Sequence, residues 1–586
     1  MSGRRTTTLS FRTTALAYSA KQSHNNFSQE FKQPRIAKMT SNPTGPETNG
    51  KLTSWRLVTV IGSLCLGVFL FGLDVSIIAV AIPQITTQFQ SLADVSWYGS
   101  AYMLTLTAFQ PLFGNLYKFF NPKVVYLTSL SVFELGSIIC AAAPTSAVLI
   151  FGRAWLGLGG AGLLQGALAI IGEAVTVDKV PLFQGIVVSS MAAVLLLNIN
   201  VPAGVVVIAI VFLFVPLGKP STSHQDLSLR QKLQHMDAPG LFMFLGAICC
   251  LLLALTWGGQ TYPWSNARII ALFVLFGIMA PSFCYWLVRR GELALIPVRV
   301  LKRRSVYVGA LALLGFGLLS VVYGYYLPIL FQSAQGVSTT ESGLRYIALV
   351  GPQIVALVIV GGIVSKWGYY EFDQVPYMIG GSIVCTVGAG LLTTVNLSTP
   401  MVQWAAYLVI TGLGLGMAGQ LPYTAVQAVL DPADVATGNG MSRQSHYNME
   451  TLTHIRTAIN VFSFHLAGAV GTAIGQALLL DGLKTSVPKY TSAVSPGEVV
   501  QVGATGLQIV ATAPGVLGAL RMAYVEAVRR TIILGLAAMC FVVPLSCAME
   551  WVNLKRVAEK RGQVFTVEQA SAGSENASTS VEKSGC

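Results

Sequence analysis

Two ionisable residues sit where an unpaired charge is costly. Asp74 lies within the apolar run "FLFGLDVSIIAVAIPQI", and Arg153 opens "RAWLGLGGAG". Inside a membrane helix such groups face a cavity or a partner, and by default they mark function. A carboxylate there can gain and lose a proton as its surroundings turn dry or wet, because desolvation favours the neutral acid and a nearby cation favours the anion. A buried guanidinium in turn needs a carboxylate, carbonyls or water. Asp74 is the natural partner for Arg153 by chain position, and Glu134 in "SVFELGSII" is the alternative. The plainer readings are a helix-end residue for Asp74 and a helix-to-helix hydrogen bond for Glu134. Gln165, Gln420, Tyr423 and Gln427 are polar groups in apolar surroundings, suited either to lining a cavity or to bonding a neighbouring helix. Glu173 falls near an aqueous end.

These residues need helices that cross a bilayer. Of the 586 residues, 53% are hydrophobic and 10% charged, against about a quarter charged in soluble domains. Apolar runs near 57–82, 96–117, 124–143, 148–171, 240–257, 269–288, 305–330, 345–365, 376–395, 403–425, 459–480 and 531–551 are each long enough to span as a helix. Barrel strands would alternate in short segments instead. The net charge of +13 resides in a polar N-terminal tail and in short loops. Without a basic stripe interleaved with aromatics, nucleic-acid binding is not expected. No G-x-x-x-x-G-K-[ST] loop, metal-ligand spacing, disulfide framework or paired nucleophile and base is present, so neither an enzyme nor a cofactor is expected. Trp257, Tyr262 and Trp264 suit an interfacial aromatic belt.

Lys118 with Lys123, Lys179, Lys219 to Lys232, Arg289 to Arg304, Lys366, and Arg443 with Arg456 mark one set of loops. The loops near 84–94, 144–147, 331–344 and 391–402 carry no Lys or Arg. Positive loops face the cytoplasm. The loops at Lys179 and Lys219 fall on the same side, so 182–215 must cross an even number of times. Two crossings of about 16 and 15 residues, below the usual ~17, make a cramped hairpin and a total of fourteen spans. Two segments recur in register along the chain. "GNLYKFFNPK" from Gly114 is echoed by "GIVSKWGYY" from Gly362, and "GLGGAGLLQG" from Gly157 by "GLGLGMAGQLP" from Gly412. Duplicated halves are a known transporter architecture.

With these motifs the chain, from about Trp55 to Trp551, resembles the major facilitator superfamily, and within it the fourteen-span drug:proton antiporter branch of the fungal toxin-efflux type. "LDVSIIAVAIPQI" at Leu73 is similar to that branch's first-span signature, and "RAWLGLGGAG" at Arg153 to its fourth-span motif. "GNLYKFFNPK" is similar to the loop after span two, with Gly114 and Lys123 matching and Lys118 replacing the family's acid. "DAPG" at Asp237 and "WGGQTYPW" at Trp257 also resemble the branch. The resemblance implies an all-α integral membrane protein with two pseudo-symmetric six-helix halves plus two linker spans. It implies proton coupling at Asp74 and Arg153, with gating and helix packing at Gly114, Lys123, Gly157, Gly159, Gly162, Gly362 and Lys366.

The boundaries expected are a disordered cytoplasmic tail 1–54, an N-terminal half 55–217, a linker 218–290, a C-terminal half 291–480, an extracytoplasmic loop 481–530, a last span 531–551 and a cytoplasmic tail 552–586. The function implied is export of a hydrophobic small molecule, such as a toxin, in exchange for protons. The protein would act as a monomer in the plasma membrane, or alternatively the vacuolar membrane. The alternatives are a proton-coupled importer of iron chelates and a non-transporting product of a damaged gene model. Two departures bear on the latter: the family's fifth-span Gly-Pro-Gly-Gly motif is absent between Val194 and Asn200, and "GMSRQSHYNMETLTHIRTA" interrupts a family-like join at Gly440. Both are expected to reflect errors in the gene model.

Overall fold

The computed structural model describes residues 54–89, 95–175, 179–193, 237–259, 262–291, 294–367, 375–428, 444–502, 507–511 and 515–550. Among these the chain is helical, with a lone bridge between Gly258 and Tyr262 in place of strands. The helices are α1 (Ser54–Phe89), α2 (Val95–Phe119), α3 (Pro122–Ala141), α4 (Ser146–Ala174), α5 (Val180–Ala193), α6 (Ala238–Trp257), α7 (Ala267–Arg290), α8 (Val298–Leu301), α9 (Arg304–Gln335), α10 (Thr339–Trp367), α11 (Val375–Leu392), α12 (Met401–Ala418), α13 (Leu421–Ala428), α14 (Gln444–Tyr490), α15 (Pro496–Val502), α16 (Leu507–Val510) and α17 (Val516–Cys547). Ten described helical stretches are long and apolar enough to cross a membrane, and Leu57–Gly72 and Val180–Ser190 are shorter apolar helices. The cramped hairpin lies beyond Ala193, outside the described residues.

Local chemistry sets the helix ends. Asn121 caps α3 through Lys123 N at 2.9 Å, with Pro122 in the first turn, and Thr145 caps α4 through Val148 N. Pro111, Pro281, Pro328 and Pro352 lie inside helices, as is tolerated where neighbours re-satisfy the freed carbonyls.

Packing repeats in the two halves. α4 lies against α3 and α2, and α12 lies against α11 and α10; α1 pairs with α5 and α9 with α14. Glycines account for the close approach. A Cβ at Gly157 would stand 2.3 Å from Tyr102 O, at Gly159 2.5 Å from Phe133 N, and at Gly162 2.0 Å from Ser129 Oγ. In the second half the counterparts are Gly412, 2.0 Å from Leu349 O, and Gly414, 2.2 Å from Cys385 N. The glycine motif echoed in sequence is thus one packing device used twice.

The halves meet along two seams, α2 on α14 and α5 on α10. At the second, a Cβ on Gly361 would meet Pro181 O at 2.8 Å, whereas Gly362, the glycine singled out in the sequence, makes only ordinary contact with Leu182 at 3.8 Å. Of the two adjacent glycines, Gly361 makes the tighter approach. Thr424 Oγ1 donates to Gln184 Oε1 at 3.2 Å across the same side, both side chains fully buried.

The linker helices α6 and α7 cover the first seam. A buried cluster joins Ala108 of α2, Phe244, Ile248 and Leu252 of α6, and Ile459 of α14. Asp237 fastens this hairpin. Its carboxylate accepts from Trp286 Nε1 at 2.9 Å and from Leu295 N at 2.8 Å, and Leu295 O accepts from Asn115 Nδ2 at 3.4 Å. The "DAPG" aspartate holds the linker to the end of α2 beside Gly114. Asp237 adopts φ 48°, a left-handed conformation that Asp tolerates better than most residues.

Two stretches singled out in the sequence are helical in the structure. The stretch 481–530, read as a loop, is largely helical: α14 continues to Tyr490 and α17 begins at Val516. Leu483, Val487, Val499, Leu507, Leu520 and Tyr524 are buried in the second half's core, which rewards extending the helices. The residues from Gln444 onward, which follow the family-like join at Gly440, are helical and begin α14.

Candidate functional site

Arg153 and Asp74 meet. Arg153 Nη1 donates to Asp74 Oδ2 at 2.6 Å, its Nε donates to Tyr98 O at 2.8 Å, and its guanidinium lies over the Tyr102 ring, 4.6 Å from the centroid. A carboxylate, a carbonyl and an aromatic face together satisfy a cation withdrawn from water. The Arg153 side chain is 4% exposed and that of Asp74 18%. The base of the pair is sealed, and the acid still touches open space.

The elements explain the meeting. Arg153 is in the second turn of α4, whose following glycines bring α2 close enough for Tyr98 and Tyr102 to reach the guanidinium. Asp74 is one helical turn beyond Phe71 on α1, and Phe71 contacts the same tyrosine, centroids 6.2 Å apart. Tyr98 is itself held by Ser146 Oγ at 2.9 Å.

Glu134, the alternative partner, is not at the guanidinium. It is half-buried on α3 with no ion pair or hydrogen bond among the described residues, although near enough to sense the Asp74 charge. Gln165 and Tyr423 are buried, and Tyr423 belongs to a core cluster shared with Leu313 and Val461 of the second half and with α1, α2 and α4. Gln420 is half-buried, its Nε2 lacking a partner. Lys123 is buried at the start of α3, and Gly114 is buried near the end of α2. The side chains of Lys118, Glu173, Lys366 and Gln427 lie outside the described residues.

Three contributions were not foreseen. Tyr325 of α9 is 37% exposed, yet it lies within electrostatic reach of Arg153 and Tyr102, both buried in the other half. His465 of α14 packs edge-on to Phe71, also across the halves. Thr107, Gln110, Gln184 and Asn460 leave Oγ1, Oε1, Nε2 and Oδ1 without partners among the described residues. Buried polar atoms are normally satisfied, so each of these atoms is free to take a further hydrogen bond. A polar residue in an apolar run was the available signal, and Gln110, Gln184 and Asn460 carry it as plainly as Gln165 does.

Comparison with known proteins fits this arrangement. The family model described as "Major Facilitator Superfamily" matches residues 64–447. An "MFS-type efflux pump MFS1" of Trichophyton rubrum is 37% identical over 527 residues, covering 87% of this chain and 94% of that protein. An "MFS-type transporter astH" of Aspergillus oryzae is 36% identical, covering 86% and 88%, and an "Efflux pump roqT" of Penicillium rubens 35% identical, covering 87% and 94%. Among solved structures, the proton:xylose symporter XylE aligns with a TM-score of 0.49 and 13% identity over 86% of this chain and 100% of that one. With its bundle of membrane-length helices and a family match over most of its length, the chain belongs to the Major Facilitator Superfamily and is a multi-pass membrane transporter of small molecules.

Proposed function

We propose that the protein exports a hydrophobic small molecule in exchange for protons. The Asp74–Arg153 pair carries this reading. Its acid is partly open to the internal space and its base is sealed, so a proton can reach the carboxylate while the guanidinium stays held by Tyr98 O and the Tyr102 ring. Protonation of Asp74 would remove the charge that balances Arg153. Its free energy then differs between a wet and a closed cavity, and that difference links proton binding to the inward and outward states.

Alternating access requires the two seams to open in turn. In the state described, α5 and α10 are closed at the ends bearing Lys179 and Lys366, by Gly361 against Pro181, Gly185 against Leu357 and the Thr424–Gln184 hydrogen bond. By the distribution of Lys and Arg that side is cytoplasmic, and the Asp74–Arg153 pair lies toward the other. The efflux names of the relatives support the outward direction, and the protein would work as a monomer, with the plasma membrane as its site.

The test is a pair of vesicle preparations of opposite orientation, loaded or bathed with a fluorescent hydrophobic dye under an imposed proton gradient. Dye movement out of the cytoplasmic compartment, driven by protons moving in and lost in D74N, is the expected result. Movement in the opposite direction, or movement unaffected by D74N, would refute the reading.

A further inference from the structure

His465 lies in α14 with 6% of its surface exposed. Its Nδ1 is 2.9 Å from Val461 O, one turn earlier. A carbonyl can only accept, so in the neutral ring Nδ1 carries the hydrogen and Nε2 is a bare acceptor. No described residue bonds Nε2. Around the ring stand aromatic edges and faces: Phe464 at 5.6 Å and 83°, and Phe71 of the opposite half at 6.3 Å and 81°.

From Phe71 the same aromatic wall continues to Tyr102, whose hydroxyl is unpartnered and whose ring supports Arg153. A ligand lying along this wall would meet flat apolar surface and one acceptor nitrogen. A cationic donor is disfavoured, because the wall ends on Arg153, stacked on Tyr102, and the carboxylate beside it, Asp74, is already committed to that arginine. An anion would face a bare lone pair. The donor that fits is a neutral hydroxyl.

Building on the reading of the protein as an exporter, we propose that His465 is a specificity-determining residue. Its Nε2 accepts a hydrogen bond from a hydroxyl on an otherwise apolar aromatic cargo, while Phe71 and Phe464 flank the ring system. The selectivity is that of one neutral hydrogen bond made in a desolvated site, about three- to ten-fold between a phenol and its methyl ether. Both halves then touch the cargo, since Phe71 and His465 come from opposite sides of the seam.

The experiment measures binding of 2-hydroxyanthraquinone and 2-methoxyanthraquinone to the purified full-length protein by quenching of its tryptophan fluorescence. Wild type is expected to prefer the phenol by about three- to ten-fold. H465F should bind both alike, with affinity for the ether retained, and H465Q should keep part of the preference through its amide oxygen. Should H465F fail to fold, H465L, closer to histidine in volume than phenylalanine is, serves for the same comparison. A preference that survives in H465F or H465L, no preference in wild type, or wild type binding neither compound would each overturn the assignment. Selective binding without proton-driven movement would defeat the export reading and leave this one standing; unselective proton-driven export would do the reverse.

Discussion

Removing one member of the Asp74–Arg153 pair should cost far more than removing both. D74N leaves a guanidinium that is 4% exposed with only Tyr98 O and the Tyr102 ring for support. R153Q leaves a carboxylate whose cation, 2.6 Å away, has gone. Stranding a buried charge costs about 3–5 kcal/mol. In D74N/R153Q both charges are absent and the two amides can bond each other, so the loss falls to that of ordinary hydrogen bonds, about 1–2 kcal/mol. The sum of the singles is then about 6–10 kcal/mol and the double mutant restores most of it, a coupling far beyond the ~0.5 kcal/mol scatter of independent sites. Equilibrium unfolding in mixed micelles titrated with SDS measures the three variants against wild type. Proton-driven dye efflux should be absent from all three, since none keeps a titrating acid beside a cation. Single-mutant losses that add to the double's value would show that the pair is not the interaction holding this corner of the bundle.

Other outcomes follow from named contacts. G157A and G412A place a Cβ 2.3 Å from Tyr102 O and 2.0 Å from Leu349 O, where backbone cannot yield, so both should lose monodisperse protein in size-exclusion chromatography; G277A, with nothing within 4 Å, should not. D237A removes the acceptor of Trp286 Nε1 and Leu295 N and should destabilise the folded protein by about 2–4 kcal/mol in the same SDS titration. In a cysteine-free background, S398C should react with an impermeant maleimide added outside intact cells and K302C should not; the reverse would mean an odd number of crossings between Lys179 and Lys219.

The pair was legible because a charge in an apolar run is conspicuous, and its cost demands a partner whichever helix supplies it. Sequence left Asp74 and Glu134 both open for Arg153; the Phe71 and Tyr102 contacts that bring α1 there depend on side-chain packing between segments far apart in the chain. The repeated glycines were legible for a similar reason, since little else explains small residues at one spacing in both halves. His465 and Tyr325 were not. A membrane helix is apolar on its lipid face and its protein face alike, so periodicity does not distinguish the cavity side. Gly361 and Gly362 differ in role for the same reason, being adjacent letters that point to different neighbours. The helices reaching into 481–530 were missed because their buried residues are interleaved with Lys489, Arg529 and Arg530, whose bonds to Glu526, Asn396 and Asp481 bear polar character that reads as loop.

The two halves share packing and differ in chemistry, and the difference bears on the proposed exchange of protons for cargo. Arg153 and Leu408 occupy matching places, each four residues before the first glycine of its motif, Gly157 or Gly412; one is a buried cation and the other a buried aliphatic. Asp74 and Tyr325 lie at nearly the same distance from the starts of α1 and α9. The second half therefore answers an ion pair with a leucine and a phenol. Duplicated charges would have put two cations around one cavity, a repulsion that a low-dielectric interior magnifies. With the ion pair held by α1 and α4, protonation of Asp74 would change the electrostatics of that wall. Tyr325 and His465 on the opposite wall offer hydrogen bonds without charge. A cargo spanning the seam then feels the proton through a difference between walls, which is the differential interaction that any coupling of two ligands requires.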